Sequence, residues 1–120
     1  MLYGVLKLYG DIIKDYDIKR FRTVEESTEL VLTITFVDDS LLYVRDYVFD
    51  GTDRKYSFHW QDRDSNLLIR WDNQPHWKDI KTFPHHCHDH GEVRESSVRN
   101  LEGVLNVISE ILKTENSKSR

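Results

Sequence analysis

Apolar residues recur with a helical period at both ends of the chain and with a period of two between them. At the N-terminus, a stripe with steps of three and four residues comprises Leu2, Val5, Leu6, Tyr9, Ile12, Ile13 and Tyr16. A second stripe near the C-terminus comprises Leu101, Val104, Leu105, Ile108, Ile111 and Leu112. The spacing predicts an amphipathic helix over residues 2–16, weakened by Gly4 and Gly10, and a second helix with Asn100 as its N-cap.

The central part of the chain is typical of strands joined by polar turns. Alternating or β-rich stretches predict strands at residues 18–24, 30–36, 41–49, 55–61 and 67–71. The stretch 41–49 is apolar on both faces, so we expect it inside the sheet. Short turns between successive strands predict an antiparallel meander. We therefore expect an α+β domain over residues 1–114, in which an N-terminal and a C-terminal amphipathic helix flank the sheet, followed by a polar tail over residues 115–120.

Composition narrows the class of protein. The chain of 120 residues is long enough for one modest core, and its 12% of aromatic residues argues against disorder. A net charge of −4 provides no broad basic field, so any contact with nucleic acid has to be local. The single cysteine excludes an internal disulfide and fits a reducing compartment. Charges within residues 1–17 predict neither a signal peptide nor a membrane span, and we expect a cytoplasmic protein.

Candidate chemistry is concentrated in residues 71–91, WDNQPHWKDIKTFPHHCHDHG. Five of the six histidines, the cysteine and both prolines lie in this stretch. In an extended chain, His86, His88 and His90 share one face, and Cys87 lies on the other. Three imidazoles on one face suit either transition-metal binding or general acid–base catalysis near neutral pH.

Other residues of this stretch leave further options open. A Cys87 nucleophile would need a neighbouring imidazolium to lower its pKa, and alternation places it opposite His86 and His88. Trp77 lies in an irregular segment and is a candidate for stacking on a base. Trp60 is in phase with the apolar positions of its strand, so we expect it in the core.

Residues 56–93, YSFHWQDRDSNLLIRWDNQPHWKDIKTFPHHCHDHGEV, resemble the TumE-type toxins of toxin–antitoxin pairs. Members typically have an Arg-aromatic-Asp-Asn-x-Pro-His-His turn and a Pro-His-His-Lys-His run, and residues 42–47 match their Leu-Tyr-x-Arg-Asp-Tyr strand. Trp77 replaces the second histidine of the turn, and Cys87 replaces the lysine of the run. The matching positions are Arg45, Asp46, His59, Gln61, Arg70, Asp72, Asn73, His76, His85, His86 and His88.

The resemblance implies a small toxin that inhibits growth through RNA damage and is neutralised by an antitoxin, often a helix-turn-helix protein. Our hypothesis for metal-independent RNA cleavage uses His86 and His88 as base and acid, with His76 as a substitute for either. Arg70 would clamp the phosphate, and Asp72 would orient a histidine. The candidate substrate-binding residues are Arg45, His59, Asn73, Trp77 and His85.

Two alternative functions stay open. A metal-dependent phosphodiesterase, or another metal-binding enzyme, would use His86, His88 and His90 to bind a transition metal such as zinc, whereas the preferred hypothesis needs no cofactor. A non-enzymatic toxin would act by binding and blocking a cellular protein. In each case we expect the antitoxin to be a partner and the protein not to associate with a membrane. RNA is the expected substrate of the ribonuclease. A homodimer also stays open.

Overall fold

The computed structural model describes residues 1–118 as an antiparallel sheet with a helix at each end. The elements are α1 Leu2–Leu8, β1 Ile13–Val24, β2 Ser27–Phe36, β3 Leu41–Phe49, β4 Asp53–Gln61, β5 Leu67–Asp72, β6 His86–Asp89, β7 Glu92–Glu95 and α2 Leu101–Lys118. Seven strands in this part of the chain pair with their sequence neighbours in the order β1 to β7. The predicted α+β meander with flanking helices is confirmed, and β3 lies inside the sheet as expected.

Both helices contribute to one apolar core. Leu2 and Leu6 of α1 and Leu105 and Ile108 of α2 are buried with the inward-facing residues of the strands. Those strand residues include Leu32, Ile34, Phe36, Leu42, Val44, Tyr56, Phe58, Trp60, Ile69 and Trp71. Trp60 belongs to this core, as predicted, and its indole N–H donates to the buried Ser40 hydroxyl. The opposite side of the sheet, which carries the alternate residues of β2 to β6, is called the open face below.

The N-terminal helix is shorter than the prediction. It ends at Leu8, and the chain turns through Gly10 into β1, which begins at Ile13 rather than at residue 18. Ile13 pairs with Phe36 and Tyr16 with Ile34, so residues predicted as the second half of a helix extend the edge of the sheet. The predicted helix over residues 2–16 is therefore wrong beyond Leu8, because backbone pairing with β2 outweighs a local pattern that Gly10 already weakens.

The C-terminal helix begins where the sequence predicts. Asn100 caps it, since its side-chain Oδ1 accepts from the N–H of Gly103 at 2.8 Å. The helix continues to Lys118, so the tail predicted over residues 115–120 is helical up to that point, and residues 119–120 lie outside the described residues. Across the described part of the chain, neither helix combines the length and apolar character needed to cross a membrane.

Candidate functional site

Strand register arranges the candidate residues in two rows across the open face. Directly paired residues of β3, β4, β5 and β6 form the Arg70 row, which consists of Tyr43, His59, Arg70 and His88. The adjacent Asp72 row consists of Arg45, Ser57, Asp72 and His86. Paired residues in an antiparallel sheet point to the same side, so residues far apart in sequence become neighbours here.

Asp72 and His86 form a buried pair at the β5–β6 end of these rows. The side chains of Asp72 and His86 are 4% and 2% exposed, and Nε2 of His86 lies 3.0 Å from Oδ1 of Asp72. Nδ1 of His86 lies 3.0 Å from the carbonyl oxygen of Pro84. Both partners are oxygen acceptors, so each ring nitrogen of His86 is directed at a protein oxygen. His86 therefore has no free nitrogen for direct exchange of a proton with a substrate.

Arg70 connects Asp72 to His59. Its Nε donates to Oδ2 of Asp72 at 3.1 Å, and its NH1 group lies 3.2 Å from Nδ1 of His59. Nε2 of His59 lies 3.2 Å from the side-chain oxygen of Gln61. Burial and the Arg70 cation lower the pKa of His59, so the neutral ring accepts from Arg70 and donates to Gln61. Three of the five guanidinium N–H donors of Arg70 stay available for a ligand.

His88 is the histidine of this cluster that is free to exchange protons. Its ring centre lies 5.0 Å from that of His86, and it makes no hydrogen bond to any residue within 1–118. Burial, followed by the charge of His86, lowers the pKa of His88 below its usual value of 6.5. A histidine that is neutral near pH 7 and has unoccupied nitrogens is suited to act as a general base.

The loop between β5 and β6 covers part of the cluster. Trp77 on this loop contacts both histidines edge-on, with ring centres 6.5 Å from His86 and 6.2 Å from His88. It stays 44% exposed, so one part of the indole closes the site and another faces solvent. Trp77, which stands where the family pattern has a second histidine in the turn, thus places an aromatic ring beside the histidine pair.

Three other predicted site residues lie outside the cluster. His76 is exposed, and its side chain has no hydrogen bond or ring contact with any described residue. The Asn73 side chain bridges the backbone of β4 by accepting from Tyr56 N–H and donating to the Arg54 carbonyl. His85 stacks on Tyr56 and its Nδ1 lies 2.8 Å from the Tyr56 hydroxyl, on the core side of the sheet.

Cys87 lies on the opposite side of β6 from His86 and His88. It pairs with Trp71 and packs against the core. Burial and the nearby Asp89 raise the pKa of the Cys87 thiol. A nucleophilic cysteine needs the opposite shift, so this geometry does not favour the Cys87 option.

The predicted metal trio is not assembled as the sequence suggested. His90 follows β6 in a tight turn with positive φ, is exposed, and bonds to Asp89. Asp72 takes its place, because one ligand atom from each of Asp72, His86 and His88 lies within 4.8 Å of the others. Two imidazoles and a carboxylate are a donor set that suits a transition metal. The Arg70 cation beside Asp72 opposes the binding of a second positive charge there.

Arg45 and Tyr43 lie on the part of the open face that β3 contributes. The sequence predicts Arg45 as a substrate-binding residue, whereas Tyr43 enters only through the family motif of residues 42–47. Arg45 is exposed and has no hydrogen bond or ion pair with any described residue. Tyr43 is 41% exposed, and its ring centre lies 6.1 Å from that of His59. Both residues alternate in β3 with the buried Leu42 and Val44, which a strand reported as apolar on both faces did not predict, and their alignment with His59 and Arg70 depends on register.

Comparison with known protein families gives a match over nearly the whole chain. A family model described as Toxin TumE matches residues 4–117 of the 120-residue chain. No curated protein and no solved structure matches the chain. The matched span runs from α1 into α2 and includes the whole cluster of Asp72, His86 and His88.

Proposed function

Because the chain belongs to the TumE toxin family, it is the toxin component of a toxin–antitoxin pair, and we propose that it cleaves RNA without a metal ion. The observation that carries this proposal is the arrangement around His88. A histidine with free nitrogens and a lowered pKa lies beside Arg70, whose guanidinium has unused donors. A proton carrier next to a phosphate-binding cation is what cleavage by an internal 2′-hydroxyl requires.

The proposed reaction assigns a separate task to each residue. His88 removes the proton from the 2′-hydroxyl, and the 2′-oxygen attacks the phosphorus. Arg70 binds the non-bridging oxygens and stabilises their charge in the transition state. The bond to the 5′-oxygen breaks, and the His88 imidazolium returns its proton to that oxygen. The products are a 2′,3′-cyclic phosphate and a 5′-hydroxyl end.

Asp72 and His86 act in this proposal as positioning residues. Asp72 accepts from Arg70 through one carboxylate oxygen and from His86 through the other, so it fixes both in place. The sequence alone favours His86 as a proton carrier alongside His88. Since both of its ring nitrogens are occupied, we assign proton transfer to His88 alone.

Replacement of His88 tests the proposal directly. His88→Ala should lower the rate of RNA cleavage by about 10²–10⁴-fold, the usual contribution of a general acid–base group. The assay uses purified protein and RNA with a chelator present. His90→Ala is the matched control, because His90 lies in the same hairpin with an exposed side chain and should retain wild-type activity. Full activity of His88→Ala would overturn the assignment, and a folded wild-type protein that is toxic yet inert on RNA would favour a non-enzymatic toxin.

A metal-dependent phosphodiesterase is the second candidate, and the close approach of Asp72, His86 and His88 favours it. The three side chains would hold a transition metal, which would bind a phosphate oxygen as a Lewis acid. Metal analysis of the purified protein separates the two candidates. Stoichiometric metal, together with activity that chelation removes and added metal restores, would replace the metal-independent proposal.

A further inference from the structure

The open face continues beyond the histidine cluster as a groove that crosses β4, β3 and β2 and reaches β1. A hollow of about 410 Å³ is lined by Lys19, Tyr43, Arg45, Ser57, His59 and Arg70, among others. A second hollow of about 170 Å³ lies next to it, and both are lined by Arg45, Ser57 and Arg70. The groove therefore begins at the phosphate-binding arginine of the proposed active site and leads away from His88.

The charge of the groove is positive although the chain has a net charge of −4. Arg45 and Lys55 line it without an ion pair to any residue described in the structure, and Arg70 lies at the active-site end. A local cluster of unpaired cations attracts phosphate groups, because ordinary salt screens the distant acidic residues over about 8–10 Å. The groove is thus suited to the backbone of a nucleic acid.

Exposed aromatic rings lie at both ends of this charged stretch. Trp77 contacts His88 at one end, and Tyr43 contacts His59 at the other. Tyr43 and His88 are separated by three strand spacings of the Arg70 row, roughly 14 Å. Aromatic side chains stack on bases whose faces are open, and a duplex hides those faces.

We propose that this groove binds single-stranded RNA next to the scissile phosphate. One base stacks on Tyr43, a base on the other side of the cleavage position stacks on Trp77, and Arg45 contacts a phosphate between Tyr43 and the active site. The inference rests on the proposed ribonuclease function and adds its substrate class. It also adds Tyr43 as a substrate-binding residue.

Binding of an uncleavable strand tests the groove separately from catalysis. The probe is a fluorescent 2′-O-methyl oligoadenylate of about ten nucleotides, within the usual site sizes of single-strand binders. It has no 2′-hydroxyl nucleophile, so the wild-type protein can be used. We expect Tyr43→Ala and Arg45→Ala each to weaken binding by about tenfold. A blunt duplex of the same length should bind at least about tenfold more weakly than the single strand.

Two matched variants and one salt series make the test specific. Tyr3→Ala and Lys7→Ala remove the same kind of ring and the same charge from exposed positions on α1, and should leave binding unchanged. Arg45→Ala should reduce the slope of log affinity against log salt by about 0.7, the value for one phosphate contact on a single strand, whereas Tyr43→Ala should not.

The outcomes distinguish the groove from the catalytic proposal. Wild-type affinity in both Tyr43→Ala and Arg45→Ala, or equal affinity for the duplex, would overturn the groove as a single-strand site. Loss of binding in these two variants, with the α1 variants unaffected, supports it even if unmodified RNA stays intact. In that last case the groove stands and the proposed cleavage fails.

Discussion

At the residue scale, Asp72 determines the arrangement of the cluster. Its carboxylate is almost fully buried and accepts hydrogen bonds from Arg70, from the N–H of Gln74 and from His86. A buried carboxylate needs such partners, because loss of hydration is otherwise costly. The same bonds fix the guanidinium and the His86 ring relative to His88. This single acidic residue therefore links the stability of the β5–β6 end to the geometry of the proposed reaction.

The pH dependence of cleavage tests the role of His88. In the proposed mechanism the neutral His88 ring is the base, so activity should fall as the pH drops through the His88 pKa. Burial and the neighbouring His86 lower that pKa, so the acid limb of kcat/KM should have its midpoint below pH 6.5. Rates measured from about pH 4.5 to 8 check this, with His90→Ala giving the same profile as the wild type. A midpoint above 6.5 would contradict the prediction.

At the scale of the elements, the sequence predicts the side of a strand on which a residue lies better than it predicts where an element ends. The period of two correctly places His86 and His88 on one side of β6 and Cys87 on the other. The same period fails at His90, because the hairpin turn at residues 90–91 needs positive φ and breaks the alternation. No local pattern marked the end of α1 clearly. Ile13 and Tyr16 fit the apolar stripe of a longer helix, and both are also residue types that favour strands.

The N-cap of α2 is a local feature that was predictable and can be tested. Asn100→Ala removes the bond to the Gly103 N–H and should lower the free energy of unfolding by about 1 kcal/mol. Asn100→Asp keeps an acceptor and should retain most of the stability. Asn106→Ala, at an exposed position within α2, is the control and should not destabilise the protein, because alanine favours helix. Urea denaturation measures all three, and unchanged stability in Asn100→Ala would exclude a stabilising cap.

At the scale of the whole molecule, both helices pack on one side of the sheet and leave the other side uncovered by a helix. This division followed from the apolar pattern of the strands, as did the α+β class. The alignment of Tyr43, His59, Arg70 and His88 did not, because it depends on the register of three successive strand pairs. The contacts of Trp77 with His86 and His88 are also long-range, and no pattern in the neighbouring sequence predicts them.

Three histidines, one in β4, one in β6 and one directly before β6, should make the free energy of unfolding depend on pH in the same direction. The pKa values of His59, His85 and His88 are all lowered, chiefly by burial. In the unfolded chain these groups bind protons at about pH 6.5, whereas the folded protein binds them only at lower pH. The unfolded state therefore holds more protons in this range, and the free energy of unfolding should decrease as the pH falls from about 7 to 5.

Urea denaturation at several pH values between about 5 and 7.5 measures this decrease. Carboxyl groups with a lowered pKa, such as Glu29 and Asp62, titrate below about pH 4.5 and fall outside the window. His59→Gln and His85→Gln each remove one of the responsible groups, so each should make stability less dependent on pH. A pH dependence that is the same in His59→Gln and His85→Gln as in the wild type would mean that burial does not lower the pKa of these two histidines in the folded protein. Because burial is also the first cause of the lowered pKa of His88, this measurement on the whole molecule bears on the proposed chemistry of a single ring.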